Sequence, residues 1–199
     1  MYCLEKFQNH ESIDGIIIVA ATEWYGRIQQ WIEDTNIKKF MGFASAGISR
    51  QHSIYQGLNH AKSCGAKEED IVIIHDAARA CVSDEIISAC IDGISEADGV
   101  MPVIEVKDTV YFSKSGKEVE SLLDRDCLYA GQAPESFRFG KYYMLHEKLN
   151  DSELGSIRGS SEIAYKNGLK VKLISGSEEN YKITTMSDLE KFRMQLEGK

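Results

Sequence analysis

No stretch of this chain approaches the ~18 consecutive apolar residues that a membrane span needs. The opening MYCLEKFQNHESIDG has no basic segment leading into an apolar one, so no secretion signal is expected. Clusters of Lys and Arg are also missing. With a net charge of −8 and a pI near 5.2, the surface suits neither nucleic acid nor an anionic membrane, and any polyanionic ligand must be met by local cations. Cys3, Cys64, Cys81, Cys90 and Cys127 are odd in number and never take the CxxC spacing of zinc or redox sites. They read as reduced thiols, and the chain as a cytoplasmic protein. No G-x-G-x-x-G follows an apolar run, which disfavours a dinucleotide-binding module. Internal repeats and low-complexity segments are absent too.

What is present is the composition of a globular protein: 199 residues, 43% hydrophobic and 27% charged, enough for one domain over residues 1–199 with a sizeable core. Ile16 to Val19 is a continuous β-branched run, the pattern of a strand buried on both faces. Trp24, Ile28, Trp31 and Ile32 then form a helical stripe, and Phe40 to Ala44 reads as a second strand. Gln51 to Lys62 is a helix stopped by Gly65, and Ile71 to Ile74 is another buried strand. Ser83 and Asp84 cap a helix over Glu85 to Ile94, and Gly99 to Val103 is the next strand. Strands alternating with helices imply a parallel α/β sheet with right-handed crossovers. The rhythm breaks at residues 106–128, where VKDTVYF, SKSGK and EVESLL signal a β-hairpin arm. Phe137 to Leu149 resumes as helix, Val171 to Ile174 as strand, and Ser187 caps a closing helix to Leu196.

In open α/β sheets, ligands sit beyond the carboxyl ends of the strands. The run IVIIHDAAR places His75, Asp76 and Arg79 at such an end. A carboxylate there can hold Mg²⁺ against substrate phosphates while a guanidinium meets the same charge. The plainer alternative is that Asp76 caps the turn and pairs with Arg79. A His-Asp phosphohydrolase dyad is disfavoured, because that dyad belongs to an all-helical fold. In AGISRQHSIYQGL, a glycine before a helix start offers backbone N–H groups to a base edge or phosphate, or is a plain turn. In GSEENYKITTMSDL, Lys182 can stabilise a phosphoryl transition state, or is simply solvated.

Taken together and in order, SRQHSIYQGL, HDAAR, VKDT, RDCLYAGQAPESF and NYKITTMSDL resemble the bacterial cytidylyltransferases that make 4-diphosphocytidyl-2-C-methylerythritol or CDP-ribitol. The resemblance runs from about Ile13 to Leu196. It implies a Rossmann-like, mostly parallel sheet of the nucleotidyltransferase type. It also implies transfer of CMP from CTP to a polyol phosphate, with Mg²⁺ as cofactor and pyrophosphate as product. By that resemblance Asp76 stands near the metal and the reacting phosphates, Arg79 shapes that site, and Lys182 faces the transferring phosphate. Gly47 and Ser53 contact cytosine and ribose. Thr109 and Arg125 grip the polyol phosphate, reaching across from a partner's arm in a homodimer.

The chain departs from the family pattern in two places. The family's opening strand and its glycine-rich CTP loop ending in Pro-Lys have no counterpart in these residues. That strand would lie between those at Ile16 to Val19 and Ile71 to Ile74, which must then pair with each other or leave backbone groups unpaired. This motivates an alternative reading, an inactive relative that keeps a dimerising or binding role. The second departure is RGSSEIAYKNG, residues 158–168, where the commoner family pattern has a Thr-Asp pair, accompanied by AGQAPESF where many relatives have TPQ. Ser160 and Ser161 can still donate hydrogen bonds to a phosphate.

Overall fold

The structure is a computed structural model that describes residues 2–198. It opens with a helix the sequence reading does not assign, α1 (Tyr2–Asn9). Strand β1 (Ile16–Ala20) follows, then a short 3₁₀ turn leading into α2 (Tyr25–Asp34), β2 (Phe40–Ser45), α3 (Arg50–Ser63) and β3 (Ile71–Ile74). Next come α4 (Asp84–Asp92) and β4 (Gly99–Glu105). The arm is the short ladder of β5 (Tyr111–Phe112) with β6 (Ser121–Leu122), turned at Gly116, whose φ of +69° favours glycine. The chain closes with β7 (Tyr129–Gly131), β8 (Glu135–Arg138), α5 (Phe139–Glu147), α6 (Asp151–Ser156), α7 (Ser160–Lys166), β9 (Val171–Ser175) and α8 (Met186–Glu197). No helix among the described residues is long and apolar enough to cross a membrane.

Helices cover both faces of the main sheet. Residues of β3 alternate as a strand must: Val72 and Ile74 pack into a cluster built by Ile54 and Leu58 of α3, Tyr142 of α5 and Ile163 of α7. Ile73 points the other way, to Cys3 and Phe7 of α1 and Ile86, Ile87 and Cys90 of α4. The strand order is β3-β8-β4-β7, with β9 on the free side of β4. The β4–β9 and β1–β2 pairs are parallel, as expected of an α/β fold, whereas β7 and β8 run antiparallel to β4.

Three details correct the sequence reading, and a fourth decides between alternatives it left open. The stripe on α2 is only partly used: Ile32 is buried, but Trp24 and Trp31 stay exposed, because no layer covers that side. Helix α5 starts at Phe139, since residues 135–138 are drawn into the sheet beside β3 and β4. The last helix is capped by Thr185, not Ser187: Thr185 accepts from the Asp188 N–H, and the Asp188 carboxylate reaches back to the Thr185 N–H. Finally, β1 and β3 do not pair, and β1–β2 stands as its own two-stranded sheet. On one face α3 joins the two sheets, packing on β1 and β2 and sending Ile54 and Leu58 into the cluster that covers β3; on the other, Ile16 and Ile73 share the cluster of α1 and α4.

Candidate active site

The site grows from the end of β3. Two residues past that strand, the Asp76 carbonyl accepts from the Arg79 N–H at 2.8 Å, closing a turn. His75 lies 3.0 Å from the Arg79 carbonyl through Nε2, under the ring of Phe7. Burial pushes the His75 pKa down to about 4, so at neutral pH the imidazole is uncharged and its Nε2–H donates to that carbonyl. It is a clasp on the turn.

Asp76 presents its two oxygens to different cations. Oδ1 accepts from Arg50 Nε at 3.2 Å and Nη2 at 3.0 Å. Oδ2 faces Lys182 Nζ at 3.2 Å and Arg79 Nε at 3.8 Å. Burial alone would raise the Asp76 pKa, but Arg50 and Lys182 outweigh it and hold the carboxyl below the ordinary range. The pairing with Arg79 expected from spacing is therefore present but is the longest of these contacts, and Arg50 is the nearest cation.

Each cation is placed by a distinct element. Arg50 opens α3, whose N-cap Ser49 accepts from the His52 N–H. Because Arg50 directly follows the β2–α3 turn, its reach to Asp76 puts the carboxyl ends of β2 and β3 on the same side. Arg79 Nη1 donates to the Asn180 carbonyl at 2.6 Å, and the Ile183 N–H donates to the Ala78 carbonyl at 2.9 Å. These bonds lace the segment bearing Lys182 to the Asp76 turn. Asn180 is fully buried, its amide donating to the Ala133 carbonyl at 2.7 Å. Beyond Lys182, the backbone N–H groups of Thr184 and Thr185 bring the Asp188 pKa down to about 2, which anchors the start of α8.

Gly47 and Ser53 sit at the neighbouring helix start. The Gly47 N–H donates to Ser53 Oγ at 3.0 Å, and that hydroxyl donates to the Ser49 carbonyl at 3.0 Å. A Cβ on Gly47 would lie 2.3 Å from the Cβ of His52, so the close turn requires glycine. Ser160 and Ser161 join from α7: Ser160 is fully buried with its hydroxyl 2.7 Å from Arg50 Nη1, and Ser161 donates to Glu135. Thr109 and Arg125 lie elsewhere. Both are exposed on the arm, lining a cleft of about 470 Å³ with Leu122, Leu123, Asp124 and Asp126, and Asp76 is not part of that lining.

Two site residues escape the sequence reading. Arg50 is legible only as a residue of a helix's first turn, and nothing in the sequence points it at Asp76. Glu135 pairs across the sheet with Ile74 and is 7% exposed. Burial pushes the Glu135 carboxyl up, against hydrogen bonds from Ser161 and Ser160 and the charge of Arg50. A carboxylate cluster for a metal is absent: no group of three or more His, Cys, Asp or Glu among the described residues could hold an ion. Asp76 brings a carboxylate to the strand end, with its two oxygens engaged by Arg50 and by Lys182 and Arg79.

A protein-family model described as IspD: 2-C-methyl-D-erythritol 4-phosphate cytidylyltransferase matches residues 1–197. The chain is 33% identical over 187 residues to the 2-C-methyl-D-erythritol 4-phosphate cytidylyltransferase of Geobacillus thermodenitrificans, spanning 94% of this chain and 78% of that one. It is 25% identical over 193 residues to the ribitol-5-phosphate cytidylyltransferase of Streptococcus agalactiae serotype Ia, spanning 97% and 80%. Among solved structures, a 4-diphosphocytidyl-2C-methyl-D-erythritol synthase superposes with a TM-score of 0.84 at 26% identity, covering 98% of this chain and 88% of that one. A match over nearly the whole length, with the same fold, means that the chain belongs to the IspD family of cytidylyltransferases and is a nucleotidyltransferase by descent.

Proposed function

We propose that this chain transfers CMP from CTP to a polyol phosphate, either 2-C-methyl-D-erythritol 4-phosphate or ribitol 5-phosphate. The observation that carries the reading is Asp76 at the end of β3, surrounded by Arg50, Arg79 and Lys182. An oxygen of the polyol phosphate attacks the α-phosphorus of CTP, the bond to the β-phosphate oxygen breaks, and pyrophosphate leaves. Asp76 is the residue that would hold Mg²⁺, which supplies charge neutralisation for the triphosphate. Lys182, 44% exposed beside Asp76, is free to turn its ammonium toward the phosphoryl group as charge builds. The Gly47–Ser53 turn offers backbone polar groups to the nucleoside.

The arm completes the assembly. Tyr111, Val119 and Leu122 are 59%, 66% and 63% exposed, an apolar surface that a second copy would cover. A homodimer would bring one protomer's Thr109 and Arg125 to the other's phosphates. Arg125→Ala is then expected to raise the KM for the polyol phosphate roughly 10- to 100-fold, the scale of one charge-assisted hydrogen bond, while leaving the KM for CTP within about twofold. Steady-state kinetics with each substrate varied would check this, and an effect confined to CTP would refute the assignment.

The open edges of β1 and β3 favour one other reading, a binding or dimerising relative without turnover. Supplying MgCTP and each polyol phosphate and measuring pyrophosphate separates the two. Release with either polyol supports the transferase. No release with both, together with no heat of MgCTP binding, overturns it.

A further inference from the structure

We infer that Glu135 is a positioning residue of this site, acting on Asp76 through α7 and Arg50. The inference rests on the reading of Asp76 as the carboxylate that meets the phosphates. Helix α7 begins with Gly159 as N-cap and has no side-chain cap of its own. Glu135 reaches from β8 to the helix start from outside, where the Ser161 hydroxyl donates to it.

Ser160, next to Ser161 in the same turn, has its oxygen 2.7 Å from Arg50 Nη1, while Glu135 Oε1 stands 4.0 Å from Arg50 Nη2. The guanidinium is thereby pinned on both sides. Its remaining donors, Nε and Nη2, fall on a single oxygen of Asp76, Oδ1, and leave Oδ2 turned to Lys182 and Arg79. Arg50 is thereby committed to Oδ1, and Glu135 is what holds it there.

Glu135 on the strand and Ser161 on the helix face each other as acceptor and donor. The same network is expected to work with the acid on the helix and the donor on the strand.

The test compares the wild-type chain with Glu135→Gln, Glu135→Ala and the exchanged variant Glu135→Gln with Ser161→Asp, following the Nε–Hε signal of Arg50 by NMR. In both Glu135 variants the Arg50 proton is expected to exchange at least about tenfold faster. In the exchanged variant it should return to within about twofold. Where turnover is measured, kcat should fall roughly 10- to 100-fold in Glu135→Gln with the KM for CTP nearly unchanged, and recover on exchange. An unaltered Arg50 signal in folded Glu135→Gln, or an exchanged variant that fails to fold or to restore it, overturns the inference. A wild-type chain without turnover would defeat the transferase reading alone, since the NMR signals need no substrate.

Discussion

Replacing Asp76 by Asn is expected to lower pyrophosphate release by about 10²- to 10³-fold, the usual cost of deleting one preorganised electrostatic group at a reacting centre. The side chain is kept in shape, so Oδ1 can still accept from Arg50. What is lost is the negative charge among Arg50, Arg79 and Lys182. A stability effect accompanies it. Deleting one partner of a fully buried pair costs about 3–5 kcal/mol, but Arg50 and Lys182 are 36% and 44% exposed, so screening reduces the expectation to about 1–2 kcal/mol. That corresponds to a fall in Tm of roughly 2–8 °C for a chain of this size. The pH dependence has a fixed sign. The Asp76 pKa is lower in the folded protein than in the unfolded chain, so its contribution is fully present above the ordinary Asp value and is lost as the pH falls through the native one. Acid titration of the Asp76→Asn variant should therefore lack that part of the wild-type decline. Turnover within about threefold of wild type would remove Asp76 from the chemistry.

How much of this was legible in the sequence depends on the scale of each feature. Ile71 to Ile74 forms a strand as read, because four β-branched residues in a row have few other uses, but it is half-buried with Ile71 exposed rather than buried on both faces. Ser83 caps α4 as expected, its hydroxyl accepting from the Ile86 N–H. By contrast α1 buries only Cys3 and Phe7, one i,i+4 pair in a charged octapeptide, and α6 and α7 are too short for a 3.6-residue period to emerge. Strands β7 and β8 are hidden for another reason: YAG and ESFR have no apolar alternation, and they extend because β4 and β3 offer them edges. The site divides in the same way. Asp76, Arg79 and Lys182 sit in segments whose local chemistry advertises a ligand. Arg50 and Glu135 matter through long-range geometry, the β3–β8 register and the crossing of α3, which no local pattern encodes.

Hydrogen exchange is expected to divide the strands into two classes by more than about 10³-fold. Strand β4 is paired along both edges, to β8 and β7 on one side and β9 on the other, so its amides should open only with much of the fold. Strands β1 and β3 each have one partner, β2 and β8. Neighbouring residues of an edge strand point their N–H groups to opposite sides, so along Ile16 to Ala20 and Ile71 to Ile74 slow and fast amides should alternate. The energetic reason that this arrangement stands lies in its hydration. An unpaired backbone group sealed from water costs about 1–3 kcal/mol, and several would exhaust the stability of a domain. Yet every residue of β1 is only half-buried despite the sequence IIIVA, and Ile71 is 38% exposed, so water reaches the open edges. The apolar side chains remain held from the faces, by α3 on one side and by the cluster joining Ile16 and Ile73 on the other. Uniform protection of β1 and β3 at the level of β4 would show that the two edges have found partners. If that protection fell on dilution, the partner would be a second copy of the chain. Uniformly fast exchange along β1 would instead mean that the β1–β2 pair opens as a unit, with α3 too weak a tether to hold it.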